Sequence, residues 1–499
     1  MSKGSLIVVG TSSGAGKSTV VTGLCRWLVR QGVSVAPFKA QNMSLNSFVT
    51  ADGGEIGRAQ VVQAQAAHVT PEVIMNPVLL KPGTDTSSQL IVLGQPAGDL
   101  DAARGWSKKR ELLDLVVEAH RELRRRFDVV ICEGAGSPAE INLRASDIAN
   151  FGFARAAGVP AVLVGDIDRG GLFASLVGTL AVLEREDQDL VRGFIVNKFR
   201  GAKELLQGGV DQLTSMTARP TFGVLPYRRG LEIDAEDAAD LTAWLDVAAP
   251  LGPDILSVGV IAFPRTSNLT DLDPLLDEPG VVLRPLYRPE EMSQCDLVIL
   301  PGTRATVSDL AWLRERGFAP SLAARAASGR AILGVCGGYQ MLGSVIEDDI
   351  ESRAGRVEGL SLLPVRTKFQ EKKVLSQSER RLTDGTVIRG YEIHHGVVVV
   401  EGGEPFFADE GCSIGSVAGT TWHGLLENDE WRRNYLLSIG AMAGKSFTPQ
   451  SEHDFAARRE TRIDALADLV DEHLDTEGIF SLLSDDVSGT LPKVTLGLE

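Results

Sequence analysis

Two doubly wound α/β domains are the fold class this sequence predicts, and three observations predict it. The chain has 499 residues, more than the ~250–300 at which a single hydrophobic core stops growing. Short unbroken apolar runs alternate with longer helix-like segments, the pattern of parallel strands covered by helices on both faces. That rhythm breaks once, at a Pro- and Gly-containing stretch over 246–255, and then begins again.

In the first series the apolar runs lie at 6–10, 129–134, 161–166 and 193–198, with a helix expected over 17–31. In the second they lie at 257–263, 296–303 and 331–338, followed by strands around 359–366, 391–400 and 417–422. These positions predict one domain over 1–245, a linker over 246–255, a second domain over 256–450, and a closing segment over 451–499. In that segment Phe455, Ile463, Leu466, Leu469 and Val470 fall near helical spacing among charges, which predicts an amphipathic helix. The last ~25 residues read as a poorly ordered tail.

Composition excludes several classes of function. A formal charge of −16 repels a phosphate backbone, so nucleic acid is not expected as a partner. The basic run Arg121–Arg126 reads as the solvated face of a helix. Five scattered cysteines with no CxxC pair fit a reducing cytoplasm. No apolar stretch approaches a membrane span, and the first residues carry no signal-peptide pattern.

Two motifs carry chemistry. Gly10-Thr-Ser-Ser-Gly14-Ala-Gly16-Lys17-Ser18-Thr19 stands where a strand gives way to a helix. Glycines there let backbone N–H groups curl around an anion, Lys17 reaches the terminal phosphates of ATP, and Ser18 can ligate Mg²⁺. The strict pattern GxxxxGKS/T asks for glycine where this chain has Thr11. Glu133, at the end of an apolar strand, is a candidate second Mg²⁺ contact; Asp52 is a weaker one that reads equally well as a turn residue. Asn197-Lys198 ends another strand, where Asn197 is a candidate to read the adenine or to cap a helix.

Gly334-Val-Cys336-Gly337-Gly338 gives strand, sharp turn and helix, a nucleophile elbow with cysteine in the serine position. Its thiolate needs a base, for which His423 ranks first and His394 and His395 second. It also needs an oxyanion hole, for which the backbone N–H groups of Gly302 and Gly337 are candidates.

Further motifs are more specific: Lys39-Ala-Gln-Asn-Met-Ser-Leu-Asn46, Glu55-Ile-Gly-Arg58-Ala-Gln60 with Gln63 and Gln65, Asp166-Ile-Asp168-Arg169-Gly-Gly171, Gly390-Tyr-Glu-Ile-His394 and Trp422-His-Gly-Leu-Leu-Glu-Asn-Asp429. With them the chain resembles, over nearly its whole length, the cobyric acid synthase family in the cobBQ-type branch of class I glutamine amidotransferases. Its first half is similar to dethiobiotin synthetase, which shares the variant phosphate loop with Thr11.

The resemblance implies ATP- and glutamine-dependent amidation of the b, d, e and g carboxylates of a corrinoid, adenosylcobyrinic acid a,c-diamide. It implies that Glu133 and Asp52 are metal ligands and that Lys39, Gln41, Asn42, Ser44 and Asn46 lie near the carboxylate being activated, with Asp166 and Arg169 as candidate ring contacts. Because free ammonia is mostly ammonium at neutral pH, it also implies a protected path for the nitrogen. Most class I amidotransferases carry a glutamate two residues after the catalytic histidine; here that position is Leu425, which leaves Glu427 or a backbone carbonyl to orient His423. Two other functions fit parts of the pattern: an a,c-diamide synthase acting on two other carboxylates of the ring, and a regulatory P-loop ATPase with a silent second domain. The form of the 39–47 loop disfavours the first, and the Cys336–His423 pair disfavours the second.

Overall fold

The computed structural model describes residues 4–83, 87–101, 109–231, 252–450, 454–483 and 489–495. Most of the expected linker, 246–251, lies outside the described residues. The chain forms two compact units, one made of 1–43, 56–233 and 459–499, the other of 44–55 and 234–458. This differs from a division in sequence order at two places: a short early segment belongs to the second unit, and the carboxyl-terminal segment belongs to the first.

The first unit is built on a six-stranded parallel sheet. Its order is Thr221–Pro226, Val191–Phe199, Ala161–Asp166, Gly4–Gly10, Val129–Glu133 and Val35–Phe38. Leu6, Ile7, Val8 and Val9 are all fully buried, as expected of a central strand covered on both faces, which needs apolar side chains at every position rather than at alternate ones. Strand order reverses beside Gly4–Gly10, and such a switch point opens a crevice at the carboxyl ends of the strands. The helix Lys17–Arg30 leaves that crevice and buries Val20, Val21, Leu24 and Leu28 in the core.

A second sheet of the unit, of four strands, Gln41–Met43, Val78–Pro82, Ser87–Val92 and Gln95–Asp101, has no counterpart in the sequence reading. Its strands are short and its outer ones are polar, so neither apolar runs nor clean alternation mark them.

The helix Phe455–His473 forms as its spacing predicts, and it completes the core of the first unit. Ile463, Leu466, Ala467 and Val470 join Val20, Leu24 and Leu28 in one buried cluster. Gly23 permits this approach, because a Cβ there would stand 2.8 Å from the carbonyl oxygen of Leu466. Arg26, buried, pairs with Glu460 and Asp464, and the Trp27 indole donates to Asp471 at 2.9 Å. Of the segment expected as a loose tail, 484–488 and 496–499 lie outside the described residues, while 474–483 and 489–495 pack against the first unit. A further helix, Thr476–Ser481, places Ile479 in the same core, and over 489–495 Leu491 and Val494 donate backbone N–H bonds to Asp189 and Gln188.

The second unit repeats the plan. Its sheet runs Val281–Leu286, Leu256–Ile261, Leu297–Leu300, Ala331–Val335, Val417–Thr420 and Cys412–Ile414, parallel except for the last strand. Two long antiparallel strands, Val365–Arg381 and Val387–Val400, extend beside it. The strand expected from 359 starts only at Val365, since Pro364 lacks the N–H a ladder needs and Ser361 sits at φ 55°. The early segment contributes the strand Ser47–Val49, whose Val49 is buried with Tyr391 and Ile393. Among the described residues no helix is long and apolar enough to cross a membrane.

The closing helix is thus part of a core, and Ile463→Ala is expected to lower the stability of the first unit by about 2–5 kcal/mol, the usual range for an emptied core position. Urea unfolding followed by tryptophan emission should show an earlier first transition, and an unchanged midpoint would place Ile463 outside the core.

Candidate active sites

In the first unit the phosphate loop forms as its sequence predicts. Gly14 and Gly16 adopt φ 71° and 99°, conformations that cost glycine little and other residues much. Gly16 caps the helix Lys17–Arg30, so the positive end of the helix dipole and the loop's N–H groups face the same crevice. The ammonium of Lys17 donates to the carbonyls of Ser12 at 3.1 Å and Gly136 at 2.9 Å, which lays the side chain across the loop. Thr19 follows on the first turn of the helix.

Glu133 stands at the end of its strand as expected, and it gathers a network. It accepts from the Ser18 hydroxyl at 2.9 Å, the Lys39 ammonium at 2.9 Å and the Gln63 amide at 2.5 Å. Burial alone would push its carboxyl up, but Lys39, together with Lys17 and Gln63, holds it below the ordinary carboxylate range. A hydroxyl and an ionised carboxylate 2.9 Å apart beside a phosphate loop are the hard oxygen donors that Mg²⁺ takes when nucleotide phosphates supply the remaining ligands. The donor set fits that ion.

Asn42 lies in the same unit, buried, and donates to Gln60 at 3.1 Å. Three amide atoms there, Asn42 Oδ1, Gln60 Nε2 and Gln63 Oε1, are buried with no hydrogen-bond partner, which is the condition of groups that a ligand satisfies. Gln41 lies on the same strand, half-buried.

Asn197 supports the loop. Its amide donates to the Ala15 carbonyl at 2.9 Å, and a Cβ on Gly16 would stand 1.9 Å from its nitrogen. Lys198 bonds both the Gly14 carbonyl at 2.7 Å and Asp166 at 2.9 Å. Arg169 stands 3.6 Å from Asp166, so both candidate ring contacts border the phosphate loop.

Asp52, Ser44 and Asn46 belong to the second unit. Asp52 accepts from the Thr50 hydroxyl within a tight turn, the bland alternative its sequence allowed. Ser44 caps the next turn by accepting from the Asn46 backbone N–H at 3.0 Å.

The glutaminase elbow has the strained backbone that its glycines announced. Cys336 adopts φ 49° and ψ −108° between the strand Ala331–Val335 and the helix Gly337–Leu342, a conformation worth about 1–3 kcal/mol of strain that the surroundings must hold. The His423 imidazole lies close enough to the Cys336 sulfur for the two to act on each other electrostatically. His394 instead meets Glu392 at 3.3 Å, and His395 meets the Gln370 carbonyl at 3.0 Å. Gly302 borders the base, since a Cβ there would lie 3.3 Å from His423 Cε1; one on Gly337 would meet the Thr303 backbone nitrogen at 3.1 Å.

Neither Glu427 nor a carbonyl is the partner found on the far side of the ring. His423 Nδ1 lies 2.6 Å from Asp271 Oδ2, while Asp271 Oδ1 accepts from the Gly424 N–H at 2.8 Å. Burial by itself pulls the His423 imidazole down, but the charges of Asp271 and the Cys336 sulfur, and the hydrogen bond with Asp271, raise it to about 10. Sequence reasoning missed Asp271, which stands 152 residues before the histidine in a segment without a motif.

Comparison with known proteins identifies the family of each half of the chain. Residues 6–239 match the CobQ/CobB/MinD/ParA nucleotide binding domain, and residues 257–431 match the CobB/CobQ-like glutamine amidotransferase domain. A cobyric acid synthase of Streptomyces avermitilis is 55% identical over 99% of this chain and 99% of its own. That of Frankia casuarinae is 53% identical over 99% of each chain, and that of Mycolicibacterium smegmatis is 52% identical over 97% of each. With two nucleotide- and glutamine-handling units matched along the whole sequence, this chain belongs to the cobyric acid synthase family.

Proposed function

We propose that the chain amidates the b, d, e and g carboxylates of adenosylcobyrinic acid a,c-diamide, consuming ATP and glutamine and giving adenosylcobyric acid, in the cytoplasm. The observation that carries this reading is a thiol on a strained turn beside an imidazole that Asp271 holds from its other nitrogen, in the same chain as a phosphate loop whose Ser18 bonds a buried carboxylate. A silent regulatory scaffold has no use for the first, and relatives named for cobyric acid synthesis weigh against the a,c-diamide alternative.

The chemistry follows from what each group can do. A carboxylate is inert to ammonia, so its oxygen first attacks the γ-phosphorus of ATP, giving an acyl phosphate and ADP. Ammonia then attacks the carbonyl carbon, and phosphate leaves. Lys17 offsets the charge that develops on the transferring phosphoryl group, Lys39 holds Glu133 ionised, and Ser18 and Glu133 would hold Mg²⁺, which supplies further charge neutralisation. Asn42, Gln60 and Gln63 offer their unpartnered amide atoms to the polar groups of the acceptor.

In the second unit the Cys336 thiolate adds to the side-chain carbonyl of glutamine, and the backbone N–H groups of Gly302 and Gly337 receive the oxyanion. The His423 imidazolium gives its proton to the departing nitrogen, which leaves as NH₃, and water then releases glutamate from the thioester. Once the sulfur has added to the carbonyl carbon its negative charge no longer holds that proton on the ring, so the acid strengthens before the nitrogen departs.

Incubation with the a,c-diamide, Mg-ATP and glutamine should give four successive acid-to-amide mass shifts; a product with none would overturn the assignment. Cys336→Ala should abolish synthesis from glutamine and leave synthesis from high ammonia, whereas Lys17→Ala should stop both. Single-turnover ammonia release should fall on the alkaline side as pH rises through about 10, because the proton delivered to the leaving group is then lost from the ring. A rate that is flat across that range would remove His423 from the acid role.

A further inference from the structure

Asp271 sits in the single 3-10 turn Leu269–Leu272. Its two oxygens are both engaged, one by His423 Nδ1 and one by the Gly424 N–H. That fork fixes the rotation of the carboxylate and ties it to the ring and to the backbone that carries the ring. With Nδ1 occupied, Nε2 is the nitrogen left for the Cys336 sulfur. The other face of the ring stacks on Tyr391, centroids 5.3 Å apart at 28°. Asp271 and Cys336 are the charged groups acting on the ring.

The turn that bears Asp271 is itself clamped. The first N–H groups of a helical turn have no partner within it, and that of Leu269 is accepted by Asn46 Oδ1 at 3.1 Å. Reciprocally, Asn268, itself held at φ 53°, accepts the Ser47 N–H at its Oδ1 at 2.9 Å. The Tyr391 hydroxyl donates to the Ser47 carbonyl at 3.2 Å, which joins the same segment to the ring that covers His423. Asn46 is fully buried, so these bonds face no competition from solvent.

We propose that Asp271 positions His423 for proton transfer, and that Asn46 fixes the turn carrying Asp271, which makes the 44–47 segment a positioning element of the glutaminase rather than a contact to the carboxylate being amidated. The proposal rests on the thiol–imidazole reading above, and its test separates the two. In the full-length enzyme, Asp271→Asn should lower glutaminase kcat by ~10²–10⁴-fold, the range that a positioned proton-transfer group contributes. The KM for glutamine should stay within about threefold, which also reports an intact fold, and the alkaline limb of the rate should move to lower pH because the ring has lost a negative neighbour. Asp271→Glu should recover part of the rate.

Asn46→Ala should slow glutamine-dependent synthesis about tenfold, the factor that one lost hydrogen bond corresponds to, with ammonia-dependent synthesis unchanged. Wild-type kcat and pH profile in Asp271→Asn would overturn the role of Asp271. Equal loss with glutamine and with ammonia in Asn46→Ala would return Asn46 to the acceptor site. Cys336→Ala that still uses glutamine would instead overturn the parent reading.

Discussion

The backbone of Cys336 is held where a side chain rarely tolerates it, and the glutaminase unit is arranged around that constraint. A buried apolar strand must turn sharply into a helix, and the turn works only if neighbouring chains come very close. Gly334 and Gly338 allow it, since a Cβ on Gly338 would lie 2.0 Å from the Leu300 carbonyl oxygen, and one on Gly334 would lie 2.6 Å from Leu342. The strain is modest against the burial of Ile332, Leu333 and Val335 on the same strand. The result is a sulfur whose direction is set by the main chain and whose loss of side-chain entropy is paid at folding rather than at each turnover.

A comparable logic governs the first unit, with charge in place of strain. A carboxylate as buried as Glu133 is costly unless it is paired and hydrogen-bonded. Lys39, Ser18 and Gln63 meet that need, so the carboxylate stays ionised. On the proposed function these partners are also the groups an ion or a substrate would engage, which makes the arrangement balanced before ligands arrive and open to rearrangement by them. The unpartnered amides of Asn42, Gln60 and Gln63 belong to the same compromise: polar atoms left unsatisfied in a folded interior are a cost that binding relieves.

Much of this was legible in the sequence where function depends on contiguous residues. The phosphate loop and the elbow are each one turn between a strand and a helix, so glycine spacing reports them directly. Glu133 was legible because it ends an apolar strand beside two glycines. Asp271 was not, because the carboxylate usually carried two residues after the histidine stands here on a turn far back in the chain, and no local pattern marks a contact of that range. The 44–55 segment was misleading for a related reason. Its motif follows Lys39 without a break, so Asn46 reads as a neighbour of the synthetase loop, while its side chain is used to hold Leu269. The closing helix showed its apolar stripe plainly, but a stripe does not say which surface it covers.

The chain passes from one unit to the other four times, at 43/44, 55/56, 233/234 and 458/459. Two polypeptides made by splitting the gene within 246–255 would therefore each lack part of their own core. One would lose Ile463, Leu466 and Val470 from beside Val20 and Leu24; the other would lose Val49 from beside Tyr391 and Ile393. Nitrogen release and carboxylate activation are in this way inherited as a single reading frame, and a lineage that separated them would first have to rebuild both interiors.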